Sequence, residues 1–281
     1  MTDTVPVSQE QRGLRGFMNR GGFWRFLAFL VVYLVIYLGS GFVIGRLGGH
    51  YVDDDLLSSL GSVFLQVTAS LIIGAVVLAA FSAYLGWNRE LYGRQPIYRS
   101  KWMWIAPVIV ATPIVLRVLG IDWGLHQADV VALLLATGLL IGFVEELTYR
   151  GFAVKMLRDG RHGELVVAAV TSLAFALSHS MNLLGGQSIT VVGPTILYTF
   201  SFGVLMYLTM RVTGFLLGAM VLHGLTDPTT MLATGGVDEV AADASSGGLL
   251  QAAGLFTMLL IISGYVLVLF IRGRVTDQHP S

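Results

Sequence analysis

The chain has 281 residues, no cysteine, and 17 lysines and arginines against 17 aspartates and glutamates. It is 55% hydrophobic and only 12% charged, with a mean hydropathy of +0.75, so it carries about half the charge of an ordinary globular protein. These values exclude a soluble globular chain. The missing cysteine also removes disulfide frameworks, thiol nucleophiles and Cys-based zinc sites, and no basic tract or aromatic–basic repeat suggests a nucleic-acid partner.

A helix that crosses a bilayer needs ~20 mainly apolar residues. Eight segments meet or approach that length: 23–45, 57–86, 102–119, 128–157, 164–182, 191–211, 213–234 and 248–271. The first is too long for a signal-peptide core and lacks a small-residue cleavage site, so it is expected to remain as a helix. Basic residues alternate with acidic ones along the connections. Arg12, Arg15, Arg20 and Arg25 lead into the first helix, and Arg89, Arg94, Arg99 and Lys101 lie between the second and third. Lys155, Arg158 and Arg161 surround the fourth turn, Arg211 the sixth, and Arg272 and Arg274 follow the last helix. Asp53 to Asp55, Asp122, Asp129, Asp238, Glu239 and Asp243 fall in the alternate loops. Basic clusters mark cytoplasmic loops. The expected fold is therefore an all-α polytopic membrane protein of about eight transmembrane helices with both termini cytoplasmic.

The expected organisation is a cytoplasmic N-terminal tail over 1–22, a membrane domain over 23–271 and a cytoplasmic C-terminal tail over 272–281. The tail 1–22 and the Gly/Ser/Ala/Asp-rich loop 235–248 read as mobile or surface segments. Pro107 and Pro113 predict a kinked third span. The pairs Gly41/Gly45 and Gly214/Gly218 predict close helix contacts.

Ionisable residues inside spans are few: Glu145, Glu146, Arg150, His179, His223 and Asp227, with Arg117 as the main extra. Such residues are expensive in a bilayer and mark functional sites. Adjacent residues on a helix point about 100° apart, so Glu145 and Glu146 are not expected to face one partner. Arg150 lies at i+4 from Glu146, which predicts an ion pair. Glu145 is then left to face a cavity. A structural ion-pair knot remains the alternative reading of this cluster.

Glu145 lies sixteen positions before Arg161 and His179 eighteen after it, on the two arms of a hairpin. At 1.5 Å per residue the two sit roughly 24 and 27 Å from the tip, and so at one level. Phe175 shares the face of His179 and could wall the site. His223 and Asp227 share a face of the seventh span, about 13 Å in from Gly214. Pro228 is expected to interrupt that helix and free backbone groups. The alternative makes His223–Asp227 a hydrogen-bonded pair steadying a kink.

The ordered motifs EELTYR (145–150), FALSH (175–179) and HGLTD (223–227) resemble the CAAX-protease and bacteriocin-processing family, also called Abi, over roughly 130–235. The resemblance implies an eight-helix intramembrane endopeptidase with relatives that trim prenylated protein C-termini. It implies Glu145 as the water-activating residue with His179 helping, and His223 and Asp227 as oxyanion stabilisers. Glu146 and Arg150 would support the site. Some relatives carry Asn where this chain has Asp227, and an ionised carboxylate cannot donate. Asp227 would then either hold a proton or orient His223.

Members of the family have been described as metalloproteases and as metal-independent glutamate peptidases. No cofactor is expected here, because no closely spaced ligand pair such as H-x-x-x-H is present; zinc held by Glu145, His179 and His223 is the alternative. The expected partners are the lipid bilayer and a peptide, a lipidated protein C-terminus or a membrane protein. The expected location is a bacterial plasma membrane, with the site opening to the cytoplasm. A non-catalytic membrane scaffold or immunity protein is the alternative function, since fold does not fix function. An ion-coupled transporter fits less well without a repeated half bearing matched broken helices.

Overall fold

The computed structural model describes residues 13–53, 55–97, 99–236 and 247–275. In lipid every backbone N–H and C=O must be satisfied within the segment, which leaves long apolar runs the helix as their solution. Ten helices carry the architecture. They are α1 (Gly13–Asn19), α2 (Phe23–Tyr51), α3 (Leu60–Leu85), α4 (Asn88–Tyr92), α5 (Lys101–Gly120), α6 (Ala128–Asp159), α7 (Glu164–Leu183), α8 (Ile189–Thr213), α9 (Leu216–Thr234) and α10 (Gly248–Phe270). No strand occurs among the described residues.

Seven of these, α2, α3, α5 to α8 and α10, are long and apolar enough to cross a membrane. The protein is an integral, polytopic all-α membrane protein. The remaining expected span, 213–234, is α9. It falls short of the apolar test because His223, Asp227, Pro228 and several threonines dilute it. Yet α9 packs along α6 more extensively than any other helix pair among the described residues. Its polar groups are tolerated because they face protein and a cavity.

The α6–α9 contact is built on glycine. A Cβ at Gly142 would fall on the Met220 carbonyl oxygen and within 2.7 Å of the Gly224 nitrogen, and one at Gly138 would lie 2.5 Å from the Pro228 ring. Backbone meets backbone here, whereas of the pairs read from sequence Gly41/Gly45 lies open and Gly214/Gly218 meets side chains, Arg99 at 2.8 Å and Thr213 at 2.7 Å. Gly45 has nothing within 4 Å, Gly41 only Ser70 at 4.0 Å, and Gly214 is the left-handed cap that ends α8 at φ 85°. Gly142→Ala is expected to destabilise the protein by about 1–3 kcal/mol or more, because the obstacle is backbone that cannot rotate away. Gly45→Ala is the neutral control. Equal thermal midpoints for the two variants in detergent would refute this account of the contact.

Pro228 does not break α9, which runs unbroken from Leu216 to Thr234. The Gly224 carbonyl, which Pro228 cannot pair, lies against Gly138, and the ring fills the space a side chain there would take. The freed carbonyl is thus spent on packing, not on a cavity. Helix α5 likewise continues through Pro113.

Residues 13–19 of the expected tail form α1. Arg15 bonds the Tyr84 carbonyl, Asn19 accepts from Trp87 Nε1 at 2.7 Å, and Gly22 N–H donates to Met156 at 2.6 Å. Polar tethers of this kind hold a short helix that could not persist alone. The rest of that tail (1–12), most of the expected loop 235–248 (237–246) and the end of the C-terminal tail (276–281) lie outside the described residues.

The hairpin between α6 and α7 turns at 159–163, where Arg161 adopts φ 62°. Arg158 clamps it by a forked pair to Glu164 at 2.9 and 2.8 Å, and Tyr207 also bonds Glu164. On its other side α6 is seated on stacked rings, with Phe152 4.7 Å from Phe29 and 5.8 Å from Phe81. Clamp and stack together fix the depth and rotation of α6, the helix that carries EELTYR.

Candidate active site

Helix α6 is regular to Glu146, then winds as a π-helix over Leu147–Ala153 before resuming as α-helix. Wide turns of this kind are rare and often sit at functional sites. They rotate the later part of a helix relative to the earlier part. Arg150 lies inside this turn and still reaches back to Glu146, Nη1 to Oε1 at 3.0 Å, with both side chains fully buried. The ion pair expected from the i+4 spacing is present.

The two glutamates also differ in setting. Glu146 is fully buried, whereas the Glu145 side chain is 29% exposed and lines a cavity of about 640 Å³. His179, His223, Asp227 and Phe175 line the same cavity. All the residues singled out from sequence, apart from the buried Glu146–Arg150 pair behind the wall, are thus brought to one space.

One expectation is overturned. Glu145 and Glu146 do share a partner, His223. Its Nδ1 lies 2.7 Å from Glu146 Oε1 and its Nε2 lies 3.4 Å from Glu145 Oε2. The 100° divergence along α6 is real, but an imidazole carries two nitrogens on different edges and can meet both carboxylates at once. Asp227 Oδ2 is also 3.4 Å from Nε2.

The position of the hydrogens is set by this geometry. Glu146 already accepts from Arg150 on the same oxygen, so His223 Nδ1 must be the donor to it. A neutral ring would then point the lone pair of Nε2 at two carboxylates. Both carboxylates thus lie on the Nε2 side of the ring. Asp227 sits beside the imidazole with its side chain 27% exposed to the cavity.

His179 ends the α-helical part of α7 and its Nδ1 lies 2.9 Å from the Phe175 carbonyl. A carbonyl only accepts, so Nδ1 carries a hydrogen toward Phe175. Phe175 is the hub of the wall. The Arg150 guanidinium carbon is 4.7 Å from its centroid, His179 meets it edge-on at 4.9 Å, and His223 at 5.9 Å. A cation over an aromatic face supplies part of what Arg150 lacks, since its Nε and Nη2 have no hydrogen-bond partner among the described residues.

Reading the sequence missed Phe202, which packs edge-on against His223 at 4.8 Å from the neighbouring α8. It carries no polar signal that could have marked it. Tyr149 and Tyr198 also line the cavity. Tyr149 sits within EELTYR, and its ring lies tilted at 5.1 Å from that of Phe175.

A catalytic zinc would need three protein donors grouped around one point, with a fourth position left open. Among the described residues no three His, Asp or Glu side chains are grouped as ligands for a metal ion. Glu145, His179 and His223 line one cavity without closing into such a set, and both edges of His223 already face carboxylates.

Residues 127–229 match a protein-family model described as Rce1-like, type II CAAX prenyl endopeptidase. No curated protein and no solved structure matches the chain. The matched span begins one residue before α6 and ends within α9, so it contains all three motifs and every residue placed at the cavity by them. Over this segment the chain is similar to the Rce1-like type II CAAX prenyl endopeptidases.

Proposed function

We propose that the protein is a glutamate-type intramembrane endopeptidase that hydrolyses a peptide bond near the C-terminus of a membrane-associated or lipidated substrate. The observation that carries this reading is Glu145 facing a cavity beside an imidazole whose position is locked from behind by Glu146 and Arg150.

In this reading Glu145 takes a proton from water, and the resulting hydroxide attacks the scissile carbonyl carbon. His179 presents Nε2 to the same water, as its Nδ1–H is committed to Phe175. The carbonyl oxygen becomes an oxyanion, which needs a donor fixed in advance. His223 Nε2–H is that donor. Its ring cannot turn, because Nδ1 is held by Glu146. Asp227 keeps the Nε2 proton in place, so a carboxylate here does through histidine what an amide would do by direct donation. Glu145 returns its proton to the leaving amine, which closes the balance.

The basic residues at the α6–α7 turn, before α2 and after α10 support cytoplasmic termini. The loop residues that line the cavity, Gly185, Gln187, Gly235 and Gly236, lie at the opposite end of the bundle and support an opening there instead of the cytoplasmic one expected from sequence. Purified protein is expected to cleave a hydrophobic or prenylated C-terminal peptide, with products read by mass spectrometry. Cleavage is expected to persist in EDTA. Loss of activity in EDTA that added zinc restores would move the chemistry to a metal. Absence of cleavage across a peptide library, together with an unchanged cellular phenotype for Glu145→Gln, would favour a non-catalytic membrane scaffold.

A further inference from the structure

Arg117 belongs to none of the three motifs, yet it lines the same cavity as Glu145. It sits on α5 and is 6% exposed. Its Nη2 donates to Thr257 Oγ1 on α10 at 3.2 Å, and its Nη1 is buried with no hydrogen-bond partner among the described residues. Asp227 acts on it electrostatically, but no hydrogen bond joins the two. Thus a permanently charged, forked donor stands in the cavity wall inside an apolar bundle with half its fork unmatched. A buried cation of this kind is costly unless an anion completes it. The planar fork matches a carboxylate better than any other common anion of a peptide.

We propose that Arg117 anchors the free C-terminal carboxylate of the bound peptide, an inference that rests on the peptidase reading of the same cavity. Reach supports it. Helix α5 packs directly on α9, which carries His223 and Asp227, and packed helices lie about 8–10 Å apart. An extended residue covers about 3.3–3.6 Å, so a peptide of about two to three residues bridges one such spacing. The site would then act as a ruler, cutting a fixed short distance from a free chain end. Thr257 holds the guanidinium in place, and Tyr198 lines the same cavity.

The test uses the full chain in detergent and one peptide sequence made with a C-terminal carboxylate or a carboxamide. Wild-type kcat/KM is expected to favour the acid by about 10- to 100-fold, the range of one charge-assisted hydrogen-bond pair. Arg117→Gln should bring that ratio to near one, and Arg117→Lys should retain part of it. The ratio is the readout, because any general loss of folding or of Asp227 alignment affects both peptides alike. A second arm measures binding of the labelled pair by anisotropy in Glu145→Gln protein, with and without Arg117→Gln. An acid preference that survives Arg117→Gln, or none in either arm, overturns the anchor. An Arg117-dependent preference in binding, with no cleavage by wild-type protein, keeps the anchor and removes the peptidase reading.

Discussion

Glu145→Gln protein is expected to purify with the wild-type thermal midpoint and to lose about 10²–10⁴-fold in kcat/KM, the range associated with removing a general acid–base group. The two halves of that expectation have separate causes. The side chain is partly exposed to the cavity and its carboxylate meets His223 Nε2 only at 3.4 Å, so an amide of the same shape leaves no buried charge behind. The chemical step fares worse because an amide cannot accept the proton of water. His223 would still be held by Glu146, so the oxyanion donor survives and substrate binding should change little. The expected signature is a fall in kcat with KM nearly constant. A Glu145→Gln enzyme that turns over at the wild-type rate would remove Glu145 from the mechanism.

Glu146→Leu is expected to behave in the opposite way, with destabilisation of about 3–5 kcal/mol from an uncompensated buried charge. Glu146 Oε1 accepts from both Arg150 and His223 and the residue is wholly buried. Truncation strands a guanidinium that already has two nitrogens without hydrogen-bond partners among the described residues. The measurement is the unfolding midpoint and monodisperse yield in detergent. Glu146→Leu combined with Arg150→Met should regain much of the lost stability, since an apolar pair can replace a buried ion pair. It should not regain activity, because His223 Nδ1 would have no acceptor and its ring would turn. Full stability of the single variant, or full activity of the double one, would show that the pair is not what holds the site.

Both variants probe residues whose roles differ in how far the sequence reveals them. The different fates of Glu145 and Glu146 follow from helical spacing alone: Arg150 at i+4 claims one carboxylate and the 100° step sends the other elsewhere. The shared depth of Glu145 and His179 follows from a hairpin with arms of nearly equal length. Spacing on one helix, however, says nothing about a ring arriving from another. His223 bridges the two glutamates because α9 lies against α6 at glycine distance, and only packed helices reveal that distance.

The π-helix over Leu147–Ala153 was equally hidden, since no local propensity marks it and the tertiary demand of the Glu146–Arg150–Phe175 stack accompanies it. Pro228 shows the same limit from the other direction. Local rules predict a break, but a facing Gly138 accepts both ring and freed carbonyl, and the helix continues.

Composition and apolar run length are sufficient for an all-helical membrane protein, because lipid leaves the backbone no other way to satisfy its polar groups. Intramembrane charge is sufficient to locate the candidate site, because such residues are expensive in a bilayer. Which carboxylate meets which edge of His223, and that Arg117 shares their cavity from outside the motifs, depend on how four helices rotate against one another. That rotation is set by small-residue contacts and ring stacks between segments distant in the chain, and no periodicity within a single helix encodes it.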